Sequence, residues 1–256
     1  MRRVVFNQKG GVGKSTIACN LAAVGAARGR RTLLIDLDAQ ANSSRYLLGQ
    51  ALDTQEKTLA HFFDDLLGLK LFHDEIGAYV VHSPFANLDV LPADPRLEEL
   101  QFKLESRYKM YKLREALDKL QAYDDIFIDT PPALNFFTRS ALIAADSCLI
   151  PFDCDDFSRR ALYKLMASVA EIRSDHNREL RVEGIVVNHY QARANLPAQL
   201  VEELRAEGLP ILDAFLSASV KIRESHHQAL PMIHLDPRHK LSAEFTALYE
   251  LLSPPA

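Results

Sequence analysis

The chain of 256 residues contains no tryptophan, only three cysteines and no long hydrophobic run. Cys19, Cys148 and Cys154 form no C-x-x-C pair, and their number is odd. This pattern argues against a disulfide scaffold or a cysteine-ligated cluster and is typical of a reducing cytoplasm. No segment approaches the roughly 18 apolar residues of a membrane span. The apolar start, Val4-Val5-Phe6, is too short for a signal peptide. We therefore expect a cytoplasmic protein.

Neither sign of charge dominates, because 30 Lys and Arg face 34 Asp and Glu, for a formal net charge of −4. A global basic field for nucleic acid is therefore absent, and any such contact needs a local patch. The 10 glycines and 12 prolines are scattered rather than clustered, so we find no linker, repeat or low-complexity tract. We expect residues 1–256 to form a single domain.

A glycine-rich stretch stands between a short apolar run and an apolar series at helical spacing that begins at Ile17. Residues 9–16 read Lys-Gly-Gly-Val-Gly-Lys-Ser-Thr. The stretch follows the pattern G-x-x-x-x-G-K-[ST], except that Gln8 occupies the first glycine position. The order of strand, loop and helix indicates a phosphate-binding loop.

The residue types of this loop fit a polyphosphate. Glycines let several backbone N–H groups approach one anion, and the helix that begins near Ser15 adds its partial positive charge. Lys14 can reach the β- and γ-phosphates, and the Ser15 hydroxyl can coordinate Mg²⁺. We therefore predict that ATP and Mg²⁺ are bound, with the nucleotide held by Gly10, Gly11, Val12, Gly13, Lys14, Ser15 and Thr16.

Lys9 adds a second lysine at the front of the same loop, where an ordinary phosphate-binding loop needs no charge. With this lysine the loop resembles that of the ParA/MinD family of deviant Walker-A ATPases. The resemblance implies a P-loop NTPase fold, and an ATP-dependent homodimer in which Lys9 reaches the partner's nucleotide. Lys9, Lys14 and Asp38 would then be the catalytic residues.

Two acidic strand ends extend the resemblance. Asp36-Leu37-Asp38-Ala39-Gln40 follows the apolar run 32–35. Taken alone, these aspartates could be ordinary turn residues. The segment is similar to the family motif D-x-D-P-Q, with Ala39 in the proline position. That match implies that Asp38 orients the attacking water and that Asp36 lies in the outer shell of the metal.

The second acidic end is Asp129, which closes another apolar strand before Thr130-Pro131-Pro132. A carboxylate in this position holds the Mg²⁺ shell in phosphate-loop enzymes, and the following segment resembles the nucleotide-sensing loop of the family. Asn188 ends a further strand, 182–188, and matches the family position that reads adenine. An asparagine at a strand end is also a common turn former.

Strands alternating with helices predict an α/β fold with a doubly wound, mostly parallel sheet. We expect helices over 59–67, over 96 to about 122, from near Ser158, after a cap at Asn195, and over 241–252. Further strands are expected near 78–81, 88–91 and 147–152. In the long helix, the spacing places Tyr108 and Tyr111 on the apolar face.

The segment 217–225 resembles the part of the family that contacts DNA phosphates. Lys221 and Arg223 are the DNA-binding candidates, and residues 238–240 could extend the patch, although Glu224 and Asp236 dilute it. A solvated surface is the alternative. The four nearby histidines lack the usual spacing of a metal site and are interpreted as surface residues.

The leading hypothesis is a ParA-like ATPase whose ATP-dependent dimer partitions or positions a DNA or protein cargo through non-specific DNA. A ParB-like adaptor or the cargo protein would stimulate hydrolysis, and the protein would be cytoplasmic and possibly nucleoid-associated. One alternative is a MinD-like membrane regulator, which the cation-poor C-terminal helix disfavours. Others are a nucleotide-switched scaffold without DNA binding, an iron-protein reductase and a small-molecule ligase.

Overall fold

The computed structural model describes residues 1–68, 74–154, 158–191 and 195–253. Its centre is a seven-stranded sheet in the order β3-β4-β2-β5-β1-β6-β7. The strands are β1 (Arg2–Val5), β2 (Thr32–Asp36), β3 (Val81–His82), β4 (Leu88–Leu91), β5 (Asp125–Asp129), β6 (Ser147–Asp153) and β7 (Arg181–Asn188). All neighbours pair in parallel except β3, which is antiparallel to β4. The predicted mostly parallel sheet is confirmed.

Helices lie between the strands and after the last one, β7. They are α1 (Lys14–Ala27), α2 (Asn42–Leu48), α3 (Leu59–Asp65), α4 (Leu97–Ser106), α5 (Lys112–Lys119), α6 (Phe136–Ala144), α7 (Ser158–Asp175), α8 (Asn195–Ala206), α9 (Lys221–Gln228), α10 (Met232–Leu235) and α11 (Lys240–Leu252). Short 3₁₀ turns cover Gly49–Thr54, Ile76–Tyr79 and Lys109–Tyr111.

The core lies on both faces of the sheet, because successive strand residues point in opposite directions. On β2, Leu33 and Ile35 join one apolar cluster and Leu34 joins the other. The first cluster includes residues of α4, α5 and α6, and the second includes residues of α1 and α11. Helices on both faces leave the carboxyl ends of β1, β2 and β5 side by side at one edge, where ligands bind in such folds.

The predicted helix over 96–122 is wrong, because the chain divides into α4 and α5. Tyr108 breaks it by adopting a left-handed backbone with φ of 53°. Tyr108 is 81% exposed and Tyr111 is 40% exposed, so neither packs in the core as the spacing suggested. The break carries no glycine or proline, the residues that usually mark a helix end in a sequence.

Other predictions near the edge of the sheet need correction. The strand expected near 78–81 is largely the 3₁₀ turn Ile76–Tyr79, and only Val81–His82 is paired. α3 ends at Asp65 rather than at residue 67, and α8 starts at Asn195 instead of after it. We did not predict α6. Its residues are almost all buried, including the polar Thr138 and Ser140, so no polar face marks a helical period in its sequence.

The C-terminal helix packs on the domain as expected. Phe245, Leu248 and Leu252 of α11 are buried in the cluster shared with α1, whereas Leu251, which we placed on the same side, is 49% exposed. Among the described residues, no helix is both long and apolar enough to span a bilayer.

Candidate nucleotide-binding site

The loop between β1 and α1 has the backbone of an anion-binding nest. Gly11 and Gly13 adopt positive φ angles of 77° and 89°, which side chains disfavour. Gly13 is the N-cap of α1 and supplies no side chain to cap it. The N–H groups of the first turn of α1 therefore point into the loop, where the helix dipole favours an anion.

Lys14 lies inside this loop rather than in solvent. Its side chain is buried, and Nζ donates to the carbonyl oxygen of Lys9 at 3.1 Å. Burial lowers the pKa of Lys14, and the charges of Asp129 and Asp38 partly oppose that shift. The ammonium is thus held between the loop and two carboxylates, where a bound anion would be a stronger partner for it than the Lys9 carbonyl.

The front of the loop is fixed by Asn7. The backbone N–H of Lys9 donates to Asn7 Oδ1 at 2.9 Å, and Asn7 Nδ2 donates to the carbonyl of Pro151 on β6 at 2.7 Å. Asn7 therefore attaches the start of the loop to the sheet, and it sets where the Lys9 backbone lies.

Asp129 ends β5 at the carboxyl edge of the sheet and is fully buried. Ser43 Oγ donates to Asp129 Oδ2 at 2.7 Å, and the side chain of Ser15 also hydrogen-bonds this carboxylate. Burial raises the pKa of Asp129 to about 6, against the lowering effect of these hydroxyls and of Lys14. A carboxylate and a hydroxyl side by side are the hard oxygen donors that Mg²⁺ prefers, so Ser15 and Asp129 fit the metal.

Asp36 ends the neighbouring strand and is held entirely by protein donors. Its Oδ2 accepts the Ser44 N–H at 2.8 Å and the Ser44 hydroxyl at 2.7 Å, while Oδ1 accepts the Asp38 N–H at 3.1 Å. Burial, together with the charge of Asp129, raises the pKa of Asp36 to about 8. Asp36 is therefore less available to a metal shell than Asp129.

Asp38 lies two residues past β2, next to the loop. It is 9% exposed, and its Oδ1 accepts the Gln40 N–H at 3.0 Å. Its carbonyl also accepts the Ala41 N–H at 2.8 Å, so the acidic turn leads into α2. Gln40 and Ala41 thus hold Asp38 on the same side as Lys14. The charge of Asp38 raises the pKa of Lys14.

Asn188 supports the loop from the end of β7. Its Nδ2 donates to the carbonyl oxygen of Val12 at 2.9 Å, and the side chain is buried. A Cβ added to Gly13 would lie 2.3 Å from Asn188 Nδ2. The amide therefore occupies the space that this glycine leaves open.

Four residues of this region escaped prediction from the sequence. Ser43 and Ser44 begin α2 and hold the two buried carboxylates, and Tyr46 and His226 join α2 to α9 beside Thr16. The only local signal was Asn42-Ser43-Ser44 after the acidic turn, a run of helix-start residues. The interpretation of the histidines as surface residues is wrong for His226, which is half-buried and contacts Thr16.

The candidate DNA-binding residues lie on α9. Lys221 begins the helix and forms an ion pair with Glu224 at 2.8 Å, while Arg223 is exposed. Lys240, at the start of α11, pairs with Glu244 at 3.3 Å. Each of these two lysines is therefore already in contact with a carboxylate, which weakens the basic patch.

A phosphate loop on a doubly wound parallel sheet, with acidic ends on adjacent strands, defines a P-loop NTPase. Residues 3–182 match the sequence profile of a family described as AAA domain. The chromosome partitioning protein ParA of Caulobacter vibrioides is 35% identical over 238 residues, covering 91% of this chain and 86% of that protein. The chain belongs to the ParA/MinD family of deviant Walker-A ATPases.

Solved structures agree on the fold. Cobyrinic acid a,c-diamide synthase from Mycobacterium smegmatis, with bound ADP and magnesium, has a TM-score of 0.77 at 26% identity, covering 94% of this chain and 97% of its own. McdA from Cyanthece in its apo form has a TM-score of 0.85 at 22% identity, covering 98% and 99%. The same fold thus occurs in McdA and in an enzyme of small-molecule synthesis.

Proposed function

We propose that the protein hydrolyses ATP to ADP and phosphate with Mg²⁺, and that its ATP-bound homodimer positions a DNA or protein cargo. One observation carries the proposal: Lys14 lies buried between the loop and the carboxylates Asp38 and Asp129, with Lys9 at the front of the same loop. The family relationship to a chromosome partitioning protein supports positioning over small-molecule synthesis.

Each residue would act by position and charge. Lys14 and the loop N–H groups would stabilise the γ-phosphate, Asp38 would orient the water, and Lys9 would complete the partner subunit's site. Ser15 and Asp129 would hold Mg²⁺, with Asp36 behind them. When bound, the metal would neutralise developing charge on the phosphate oxygens.

The dimer would act as a timed binding surface. Two triphosphates bring enough negative charge to offset the repulsion between the lysines of two subunits, so dimerisation should require ATP.

Asn188 would contact adenine or support the loop beneath it. We propose that residues 1–256 act as one cytoplasmic domain that associates with the nucleoid. A ParB-like adaptor or the cargo protein would stimulate its ATP hydrolysis.

Non-specific DNA would be bound through Lys221 and Arg223. The ion pair of Lys221 with Glu224 weakens the patch on one subunit, so two copies of α9 in a dimer would be needed for useful affinity. The test uses Asp38→Ala, which should retain ATP and accumulate the dimer. Duplex DNA binding is measured with ATP, with ADP and without nucleotide, across a salt series.

ATP-dependent binding that weakens steeply with salt is the expected result. Lys221→Ala/Arg223→Ala in the same background should reduce the salt slope by about 2 per subunit, because each cation removed leaves one phosphate without its partner. Arg28→Ala is the matched control, because Arg28 follows the far end of α1, about 20 Å from the loop. A dimer that binds no DNA in any state would instead indicate a nucleotide-switched protein scaffold.

A further inference from the structure

Helix α9 is joined directly to the phosphate loop. The hydroxyl of Thr16, in the first turn of α1, lies 2.9 Å from Nε2 of His226 on α9. Thr16 follows Ser15 in the loop motif, and His226 lies five residues after Lys221. One hydrogen bond thus separates the proposed nucleotide site from the helix that carries the proposed DNA contacts.

The imidazole of His226 is held in one orientation. It stacks on Tyr46 with ring centroids 4.1 Å apart and an interplanar angle of 19°. The Tyr46 hydroxyl in turn lies 2.5 Å from Ser225 Oγ and accepts from Asn20 Nδ2 at 3.1 Å. Residues of α1, α2 and α9 therefore fix the ring so that Nε2 faces Thr16.

Helix α2 connects the same ring to the two carboxylates. Ser43 and Ser44 in its first turn hold Asp129 and Asp36, and Tyr46 lies two residues further along the helix. Contacts that are short and nearly all buried therefore run from the carboxylates and Thr16 to α9. Packed, hydrogen-bonded elements of this kind carry coupling between sites.

The chemistry of the Thr16–His226 bond makes it sensitive to an anion. A threonine hydroxyl has one proton, and a phosphate oxygen only accepts hydrogen bonds. When the Thr16 hydroxyl donates its hydrogen bond to phosphate, the bond to His226 survives only if Nε2 carries a proton and donates to Thr16 Oγ1. Burial lowers the pKa of His226, which keeps the ring neutral with a single proton on one of its two nitrogens.

We propose that His226 is a positioning residue that couples the phosphate loop to α9, with phosphate at Thr16 selecting the tautomer that is protonated at Nε2. Without phosphate, the Thr16 hydroxyl donates to Nε2, and the proton of the ring is on Nδ1. Phosphate binding reverses the direction of this hydrogen bond and changes how α9 is held. The inference rests on the proposed nucleotide site, but it requires neither DNA nor dimerisation.

The tautomer is tested by nitrogen-15 NMR of the full chain labelled at histidine, without nucleotide and with saturating ADP and Mg²⁺. ADP should move the His226 Nε2 resonance from that of an unprotonated to that of a protonated ring nitrogen. His227, on the same helix but more exposed, is the internal control and should not change. A His226 resonance that is unaltered by bound ADP would overturn the proposal.

The coupling is tested by hydrogen exchange of the same two states. In the wild type, ADP should slow amide exchange in both the loop and α9. His226→Ala should keep the protection of the loop, lose that of α9, and bind ADP about fivefold more weakly, the lower end of typical coupling. His226→Gln, whose amide can still donate to Thr16, should restore the protection, and His227→Ala should match the wild type.

The outcomes separate the two proposals. If ADP protects neither the loop nor α9 in the wild type, the nucleotide site itself is wrong. If ADP protects the loop while His226→Ala leaves the protection of α9 intact, only the coupling is overturned.

Discussion

Asp36 and Asp129 lie side by side as register partners on β2 and β5, and consecutive serines of α2 hold their carboxylates. Two buried carboxylates on adjacent strands repel each other, and burial and this repulsion together raise the pKa of Asp36. The serine hydroxyls partly offset this cost. Lys14 also partly relieves the repulsion at this end of the sheet, and a bound metal would relieve it further.

Replacing Ser44 should weaken the fold. Its hydroxyl donates to Asp36 and accepts the Ala93 N–H at 2.9 Å, so Ser44→Ala leaves a buried donor unsatisfied. We expect a loss of about 1–3 kcal/mol in the free energy of unfolding, measured by urea denaturation. Ser106→Ala, at an exposed helix end, is the control and should lose less than about 0.5 kcal/mol. Equal losses would contradict this role of Ser44.

The two lysines of the loop should separate nucleotide binding from dimerisation. Lys14→Ala removes a buried charged donor, worth up to about 3 kcal/mol, and should weaken ATP binding by about 100-fold. Lys9→Ala should bind ATP within about threefold of the wild type, because a single substitution at the front of the loop should change the affinity of the subunit's own site little. It should nevertheless remain monomeric with ATP in light scattering. A Lys9→Ala dimer would refute the role of Lys9 in the partner's site.

Asn188→Ala should distinguish support of the loop from reading of the base. The variant loses the hydrogen bond to the Val12 carbonyl, worth about 1 kcal/mol, so nucleotide affinity should fall about fivefold. If Asn188 only supports the loop, ATP and GTP affinities fall by the same factor. If it reads adenine, ATP loses more than GTP. Titration with fluorescent analogues of both nucleotides measures the two ratios.

The far end of the sheet carries a buried ion pair that should control acid stability. Arg3 Nη1 lies 3.1 Å from Asp125 Oδ1, and both side chains are almost fully buried. Arg3→Met removes the contacts of Arg3 with Asp125 and Glu183 but leaves Arg30 on Asp125. It should therefore cost about 3 kcal/mol of unfolding free energy, the lower end for a broken buried pair, measured by urea denaturation. Asp118→Asn, which breaks an exposed pair with Arg2, is the control and should cost less than about 1 kcal/mol.

The pH dependence of Asp125 follows from the same contacts. Burial alone would raise its pKa, but hydrogen bonds from Arg30 and Tyr249 and the charge of Arg3 lower it overall. The unfolded chain then binds the proton more tightly, so this stability is present above about pH 4 and is lost as pH falls through the folded-state value. Asp125→Asn should therefore have a flatter acid limb in thermal melts. An unchanged slope would exclude Asp125 as a source of acid sensitivity.

Local patterns were sufficient for the parts of the site that are contiguous in the chain. The loop from Lys9 to Thr16 needs only a strand, its glycines and a helix start, all adjacent in sequence. Asp129 was predicted because it closes a buried strand, whereas Asp36 was singled out through its resemblance to the family motif. The structure places the two as register partners at one edge of the sheet. The loop and the strand ends were therefore predictable from residues that are neighbours in the sequence.

The tertiary structure decided what depends on distant residues. Thr16 and His226 are separated by 210 positions, and no periodicity in either segment indicates that they touch. The serines of α2 matter only because Asp129 arrives from another strand, and Tyr108 breaks a helix that its spacing favoured. The sequence by itself determined the glycine-rich loop and the acidic strand ends around it. Packing of remote segments decided which side chains hold the carboxylates and which helix contacts the loop.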